Sequence, residues 1–246
     1  MLSANEREVY LRDGYLVVPD LFGELEARAA LNALELEVER LVELNHHNQS
    51  HVYETLTPQS LSALPAARTD LAAFDSIRTT WPLTRAVRDL LLGERMRALA
   101  KELLSDKDTG ETTVVVFNEQ YIVKPPRSGS RGAFGWHRDS DSLLKETGEN
   151  ATPYLSVWVA IDAATCENGC LVVRPLHPPL PGLADEVSLE VAAGTAIIMS
   201  NMLEHASGPN TTKFSRRAWM AQFSARPITH PSTNTPVSLA LPFPAK

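Results

Sequence analysis

TPYLSVWVAI, residues 152–161, alternates without a slip: Leu155, Val157, Val159 and Ile161 fall on one side, Tyr154, Ser156, Trp158 and Ala160 on the other. A period of two is the signature of a strand, because successive side chains point to opposite faces of a sheet. Four further strand-like runs surround it, separated by Gly, Pro and Asn turns: TTVVVFNEQYIV (112–123), GCLVVR (169–174), VSLEVAAGTAIIMS (187–200) and RRAWMAQFSA (216–225). Antiparallel strands without helices between them must close or stack to protect their edges, so a barrel or a double-sheet jelly roll is expected.

Upstream the period changes to that of helices. Ser3 and Glu6 fit a capping box that opens a short helix ended by Gly14, and YLVVP (15–19) reads as a brief strand. GELEARAALNALELEVERLVEL (23–44) is a long amphipathic helix with Leu31, Leu34, Val38 and Leu41 along one face, and TRAVRDLLLGERMRALAKELLSD (84–106) is a second. Residues 45–80, with His46 and His47 and scattered Ser, Thr, Pro and Asn, hold no sustained period and read as a long loop, a candidate lid and specificity element. The expected fold is α+β, mainly β, with the helices covering one sheet. One domain over 1–246 is expected, because neither half buries its apolar face alone: helical support and lid loop over 1–110, jelly-roll core over 111–226, C-terminal tail over 227–246.

Composition narrows the partners. With 246 residues, 43% apolar, and a net charge of −7, the chain has no basic field with which to neutralise phosphates, so a small-molecule substrate is expected rather than nucleic acid. No apolar run approaches the roughly 20 residues a bilayer span needs, and the charged start MLSANEREVYLRDG is unlike a signal peptide, which points away from a membrane and toward the cytoplasm. The two cysteines of CENGC (166–170) are too few for a disulfide framework or a zinc site and read as buried or half-buried free thiols beside a turn.

GWHRDSD (135–141) places His137 and Asp139 two positions apart behind an aromatic residue. On a strand both would face one interior, so the pair reads either as metal ligands or as a polar turn. His46, His47 and His51 lie in the irregular loop, His177 in a Pro-rich turn and His230 in the tail; His205, at the end of a late strand-like run, is the candidate third ligand. Two imidazoles and one carboxylate suit non-haem Fe(II), with positions left for a cosubstrate and oxygen.

The surrounding blocks resemble the phytanoyl-CoA dioxygenase family of Fe(II)- and 2-oxoglutarate-dependent oxygenases. DGYLVVPDLF (13–22) looks like its opening segment, FNEQYIVKPP (117–126) with GWHRDS (135–140) like its first metal strand, LSVWVAIDAATCENGCLVV (155–173) like its central strands, and GTAIIMSNMLEHASGPNTTKFSRRAWMAQF (194–223) like its closing strands. One departure is local: RPLHP (174–178) stands where the family usually has Pro-Gly-Ser-His. The resemblance implies a double-stranded β-helix (jelly roll, cupin-like) flanked by N-terminal helices. It assigns His137, Asp139 and His205 to iron, and Arg216, eleven residues after His205, to the far carboxylate of 2-oxoglutarate. Ser207, Trp158 and Gln120 match its further cosubstrate contacts, whereas Arg217 has the opposite strand parity and should face outward. The chemistry agrees, since a guanidinium holds a carboxylate through two parallel charge-assisted bonds and keeps its proton.

The implied reaction consumes O2 and 2-oxoglutarate, releases succinate and CO2, and oxidises a substrate C–H bond, with hydroxylation as the default outcome. Asp139 speaks against a halogenase, whose branch replaces that carboxylate with a small residue. Lys124, Arg127, Arg131 and Arg138 read either as a basic rim for an anionic substrate or as a solvated flap. The competing class is a cupin-type metal isomerase or a non-catalytic small-molecule binder, neither of which needs the Arg216 and Trp158 pocket.

Overall fold

The structure is a computed structural model that describes residues 2–22, 24–44, 52–54, 84–104, 114–148, 152–177, 186–234, 236–237 and 239–243. Its helices are α1 (Ala4–Asp13), α2 (Glu24–Leu44), α3 (Arg85–Leu91), α4 (Glu94–Leu104) and α5 (Asp139–Thr147). Its strands are β1 (Tyr15–Val18), β2 (Val52–Glu54), β3 (Val115–Lys124), β4 (Phe134–His137), β5 (Tyr154–Ala160), β6 (Leu171–Arg174), β7 (Val187–Leu189), β8 (Ala196–Ser200), β9 (Glu204–Ser207), β10 (Arg216–Ser224) and β11 (Leu241–Pro242).

The strands form two antiparallel sheets that face each other without closing. The major sheet runs β1-β8-β5-β10-β3-β11, with β2 also pairing β3, and the minor sheet runs β4-β9-β6-β7. This is the mainly-β jelly roll expected, with α1 to α4 on the outer face of the major sheet and α5 on its inner side against Tyr154. The alternation in β5 decides which residue goes where. Leu155, Val157, Val159 and Ile161 join Leu34, Val38, Leu91, Met96 and Leu99 in the core between sheet and helices, whereas Trp158 and Ala160 join Leu171, Val173 and Leu189 in the core between the sheets. β10 divides the same way, sending Trp219, Ala221 and Phe223 to the helices and Ala218 and Met220 to the minor sheet.

Local signals act as read in α1, where Ser3 Oγ accepts from the Glu6 N–H, the Glu6 carboxylate accepts from the Ser3 N–H, and Gly14 closes the helix at φ 79°. Elsewhere the reading needs correction. The helix expected over 84–106 is two, because Gly93 interrupts it: a Cβ there would lie 2.7 Å from the Asp89 carbonyl oxygen, and the Gly93 carbonyl starts the next helix by accepting from Arg97. The run 187–200 is likewise two strands, β7 in the minor sheet and β8 in the major one, joined by a turn with Gly194 at φ 85°. Of the expected 45–80 loop only Val52–Glu54 is described, and it is a strand paired to β3; the rest lies outside the described residues. Among the described residues no helix is long and apolar enough to cross a membrane.

Candidate metal and cosubstrate site

His137, Asp139 and His205 meet where the two sheets face each other, with one ligand atom from each lying within 4.8 Å of the others. The histidines come from paired strands. β4 and β9 bring His137 opposite His205, with their rings 4.3 Å apart. Phe134 pairs with Ser207, so β4 carries one more residue than β9 between the two pairs, and this bulge puts both histidines on one face. Both rings are oriented by their own backbone. His137 Nδ1 sits 2.8 Å from the Gly135 carbonyl oxygen and His205 Nδ1 sits 3.0 Å from that of Leu203. Nδ1 must donate to those acceptors, which leaves Nε2 of each ring as the lone-pair nitrogen turned toward Asp139. Asp139 Oδ1 lies 3.9 Å from His137 Nε2 and 3.7 Å from His205 Nε2.

Two expectations about this triad change. Asp139 is not on a strand but is the first residue of α5, which the Arg138 N–H caps by donating to Asp141 Oδ2 at 3.0 Å. Arg138 itself stays extended, at φ −109° and ψ 143°, so Asp139 still emerges on the side of His137. His205 does not end the run 194–200 but belongs to β9, beyond a turn that carries the chain into the minor sheet.

A cavity of about 570 Å³ opens over the triad, and Gln120, Trp158, Ser207 and Arg216 line it together with all three ligand candidates. Arg216 is 1% exposed and lies beside Trp158, its guanidinium carbon 5.4 Å from the ring centroid. Burial pushes its pKa down from the ordinary 12.5 to about 10, against the opposing pull of Cys170 and Asp162. Its Nη2 donates to the Gly169 carbonyl at 2.8 Å, while Nε and Nη1 are buried with no hydrogen-bond partner among the described residues. A buried cation with two unpaired donors is costly unless an anion joins it, so this pocket fits a carboxylate. Gly169 has to be glycine: it sits at φ 81°, and a Cβ would come within 2.3 Å of the Gly208 carbonyl oxygen.

Other candidates are placed elsewhere. Arg217 faces away from the cavity as expected, but onto α2 rather than into bulk water, pairing with Asp162, Glu35 and Glu39. Of the four basic residues expected at the rim, only Arg138 lines the cavity, joined by Lys145. Lys124 is 1% exposed, and its ammonium donates to the carbonyl oxygens of Gly132, Ser207 and Gly208, which converge on it inside the fold. Cys166 is exposed rather than half-buried, Cys170 is buried, and both are free thiols. His177 binds the Arg12 carbonyl and His230 sits beside Ser232; His46, His47 and His51 lie outside the described residues.

Two side chains at the triad had not been expected. Ser156 Oγ donates to Asp139 Oδ2 at 2.6 Å, and Gln222 Nε2 donates to the same oxygen at 3.1 Å. Parity was the available signal, since Ser156 shares a face with Trp158 and Gln222 shares one with Arg216.

The family model for phytanoyl-CoA dioxygenase (PhyH) matches residues 10–176 and 178–218. The chain belongs to the phytanoyl-CoA dioxygenase family. It is 26% identical over 189 residues to the phytanoyl-CoA dioxygenase domain-containing protein 1 homolog of Caenorhabditis elegans, covering 69% of this chain and 62% of that protein. It is 25% identical over 157 residues to the 2-aminoethylphosphonate dioxygenase of the uncultured bacterium HF130_AEPn_1, covering 57% of this chain and 55% of that one. The chain thus spans somewhat over half the length of these relatives. Among solved structures, EvdO2 from Micromonospora carbonacea var. aurantiaca complexed with 2-oxoglutarate superposes with a TM-score of 0.57 at 21% identity, covering 99% of this chain and 96% of that one, a likeness of fold.

Proposed function

We propose that the chain is a non-haem Fe(II)- and 2-oxoglutarate-dependent dioxygenase that oxidises an unactivated C–H bond of a small molecule, with hydroxylation as its default outcome. The balanced reaction takes substrate, O2 and 2-oxoglutarate to hydroxylated substrate, succinate and CO2. Iron would be held by His137 Nε2, Asp139 Oδ1 and His205 Nε2, and when bound it supplies the activation of oxygen coupled to loss of CO2. Arg216 would take the far carboxylate of 2-oxoglutarate through Nε and Nη1, with Ser207, Trp158 and Gln120 on the walls.

The observation that carries this reading is the pair of buried Arg216 donors, unpaired among the described residues, in the same cavity as the triad. A metal isomerase or a passive binder has no use for a buried cation whose hydrogen bonds wait for an acceptor. The chain's own groups then orient rather than react: the backbone carbonyls fix the imidazoles, and Trp158 packs beside the guanidinium. Substrate chemistry is a finer part of the proposal. Arg138 and Lys145 on the cavity wall support an anionic group on the substrate, although Asp141 on the same wall limits the net positive field.

The test is an anaerobic titration of the chain with Fe(II) and 2-oxoglutarate. The expected result is the weak visible charge-transfer band of the chelate, absent in His137→Ala and not formed when 2-oxoglutarate is omitted. Succinate release on screening small anionic metabolites then identifies the substrate. A chain that binds the metal yet shows no band and no protection by 2-oxoglutarate would be an isomerase or a binder instead.

A further inference from the structure

Ser156 and Gln222 face each other across β5 and β10, 0% and 5% exposed, on the side of the sheet that bears Trp158 and Arg216. Gln222 Nε2 donates to Ser156 Oγ at 2.9 Å and to Asp139 Oδ2 at 3.1 Å, and Ser156 Oγ donates to that same Oδ2 at 2.6 Å. The three side chains form a closed triangle of hydrogen bonds. Its two donors come from the major sheet, whereas the carboxylate comes from the first residue of α5. Asp139 therefore has two unlike oxygens: Oδ2 is gripped by the sheet, and Oδ1 is the oxygen that lies 3.9 and 3.7 Å from the two Nε2 atoms.

Deepening the iron-site reading and resting on it, we propose that Ser156 and Gln222 are positioning residues that hold Oδ2 so that Asp139 ligates iron through Oδ1 alone. A carboxylate can grip a metal with one oxygen or with both, and the second mode occupies a further coordination position. Turning Oδ2 toward the metal would break two hydrogen bonds to buried side-chain donors, Ser156 and Gln222. One-oxygen ligation keeps open the positions that a two-oxygen chelator and dioxygen require. Core packing alone does not call for this arrangement, because apolar side chains at both positions would suit the inner face of a central strand.

Co(II) in place of Fe(II) provides the test, since its ligand-field spectrum reports coordination number and geometry without turnover. Wild type, His205→Ala, Ser156→Ala and Gln222→Leu are titrated with Co(II) alone while their circular dichroism and melting are followed. Ser156→Ala and Gln222→Leu are expected to weaken Co(II) binding by about 10- to 100-fold, the range for groups that orient a metal ligand, and to change the ligand-field bands of the Co(II) that does bind. Folded variants with wild-type affinity and an unshifted spectrum would overturn the restraint and leave the iron site standing. Absence of Co(II) uptake by wild type, or equal uptake by His205→Ala, would overturn the metal-site reading and this inference together. Ser156→Ala removes a single oxygen atom, so it decides the matter if Gln222→Leu does not fold.

Discussion

Arg216 and Arg217 are neighbours in the sequence and opposites in the structure. Arg217, on the helix face of the major sheet, spends its side-chain donors on Asp162, Glu35 and Glu39, and its pKa is raised, first of all by the bonds to Asp162. Arg216, on the face toward the minor sheet, is more deeply buried and keeps two donors unpaired among the described residues. At this pair the helix face completes the cation, whereas the inner face leaves it incomplete until something binds. Trp158 and the Ser156–Gln222 pair belong to the inner face as well, so the pleat of two adjacent strands sorts residues that stabilise from residues that recognise.

The largest effect should come from the inner face. His205→Ala removes one of three ligands and is expected to weaken Fe(II) binding by more than the roughly 100-fold seen when only an orienting partner is lost, with succinate production falling in step. Metal titration by calorimetry and a coupled succinate assay check this, and near-wild-type binding would mean the triad is not the metal site. Arg216→Met should follow. Truncating one partner of a buried charged pair costs about 2–5 kcal/mol, or roughly 30-fold and upward in affinity for 2-oxoglutarate. The ligand-free protein should melt no lower than wild type, because a buried, half-paired cation has been replaced by an apolar chain. Thermal melts with and without 2-oxoglutarate give both quantities. A variant that loses stability but keeps its affinity would put Arg216 in the same class as Arg217.

How much of this could be read from residues depends on how local the cause is. The faces of β5 and β10, and hence the opposite fates of Arg216 and Arg217, follow from the pleat and were legible. So was the capping box of α1, which involves only Ser3 and Glu6. The break at Gly93 is not legible because a single glycine leaves the 3.6-residue apolar period intact on either side. The division between β7 and β8 was hidden because both strands are partly buried, so apolar character runs straight through the change of sheet. β4, β9, β2 and β11 are short and owe their form to pairing partners far away in the chain. The same reasoning applies to the site: residue type and spacing make His137, Asp139 and His205 candidates and the family resemblance assigns them to iron, but the grip of Ser156 and Gln222 on Asp139 depends on α5 settling over the β5–β10 pair. Lys124 reads as part of a basic rim or of a solvated flap because four cations cluster before Asp139, and only the tertiary fold supplies the carbonyls that draw it inside.

The other half of the comparison can be broken at Arg217. Arg217→Ala should leave affinity for 2-oxoglutarate unchanged while lowering stability, since it leaves Asp162 without its two-pronged partner and Glu35 and Glu39 without a shared cation. The bonds are partly exposed, so about 1–2 kcal/mol is expected, seen as a fall of several degrees in melting temperature for a chain of this length. A loss of cosubstrate affinity comparable with that of Arg216→Met would show that the sheet does not separate the two roles.

Lys124 offers the finest test, because it stands on the boundary between a completed cation and an incomplete one. It lies opposite Arg216 in the β3–β10 register, with three carbonyl acceptors around its ammonium. Burial first, and the charge of Arg216 second, push its pKa down from 10.5 to about 7, while Cys170 pulls the other way. The unfolded chain then keeps the proton up to about 10.5 and the folded chain releases it near 7. Between those values the unfolded state binds more protons, so this residue makes the fold more stable as pH rises, with its full penalty present below 7 and none above 10.5. Lys124→Met carries no such proton. The stability difference between wild type and this variant should therefore move in favour of wild type from about pH 6 to about pH 9.5, measured as urea midpoints at constant ionic strength. A difference that stays flat would mean that the three carbonyls hold the ammonium charged throughout, which would place Lys124 with Arg217 among the satisfied cations and leave Arg216 as the charge that awaits a partner.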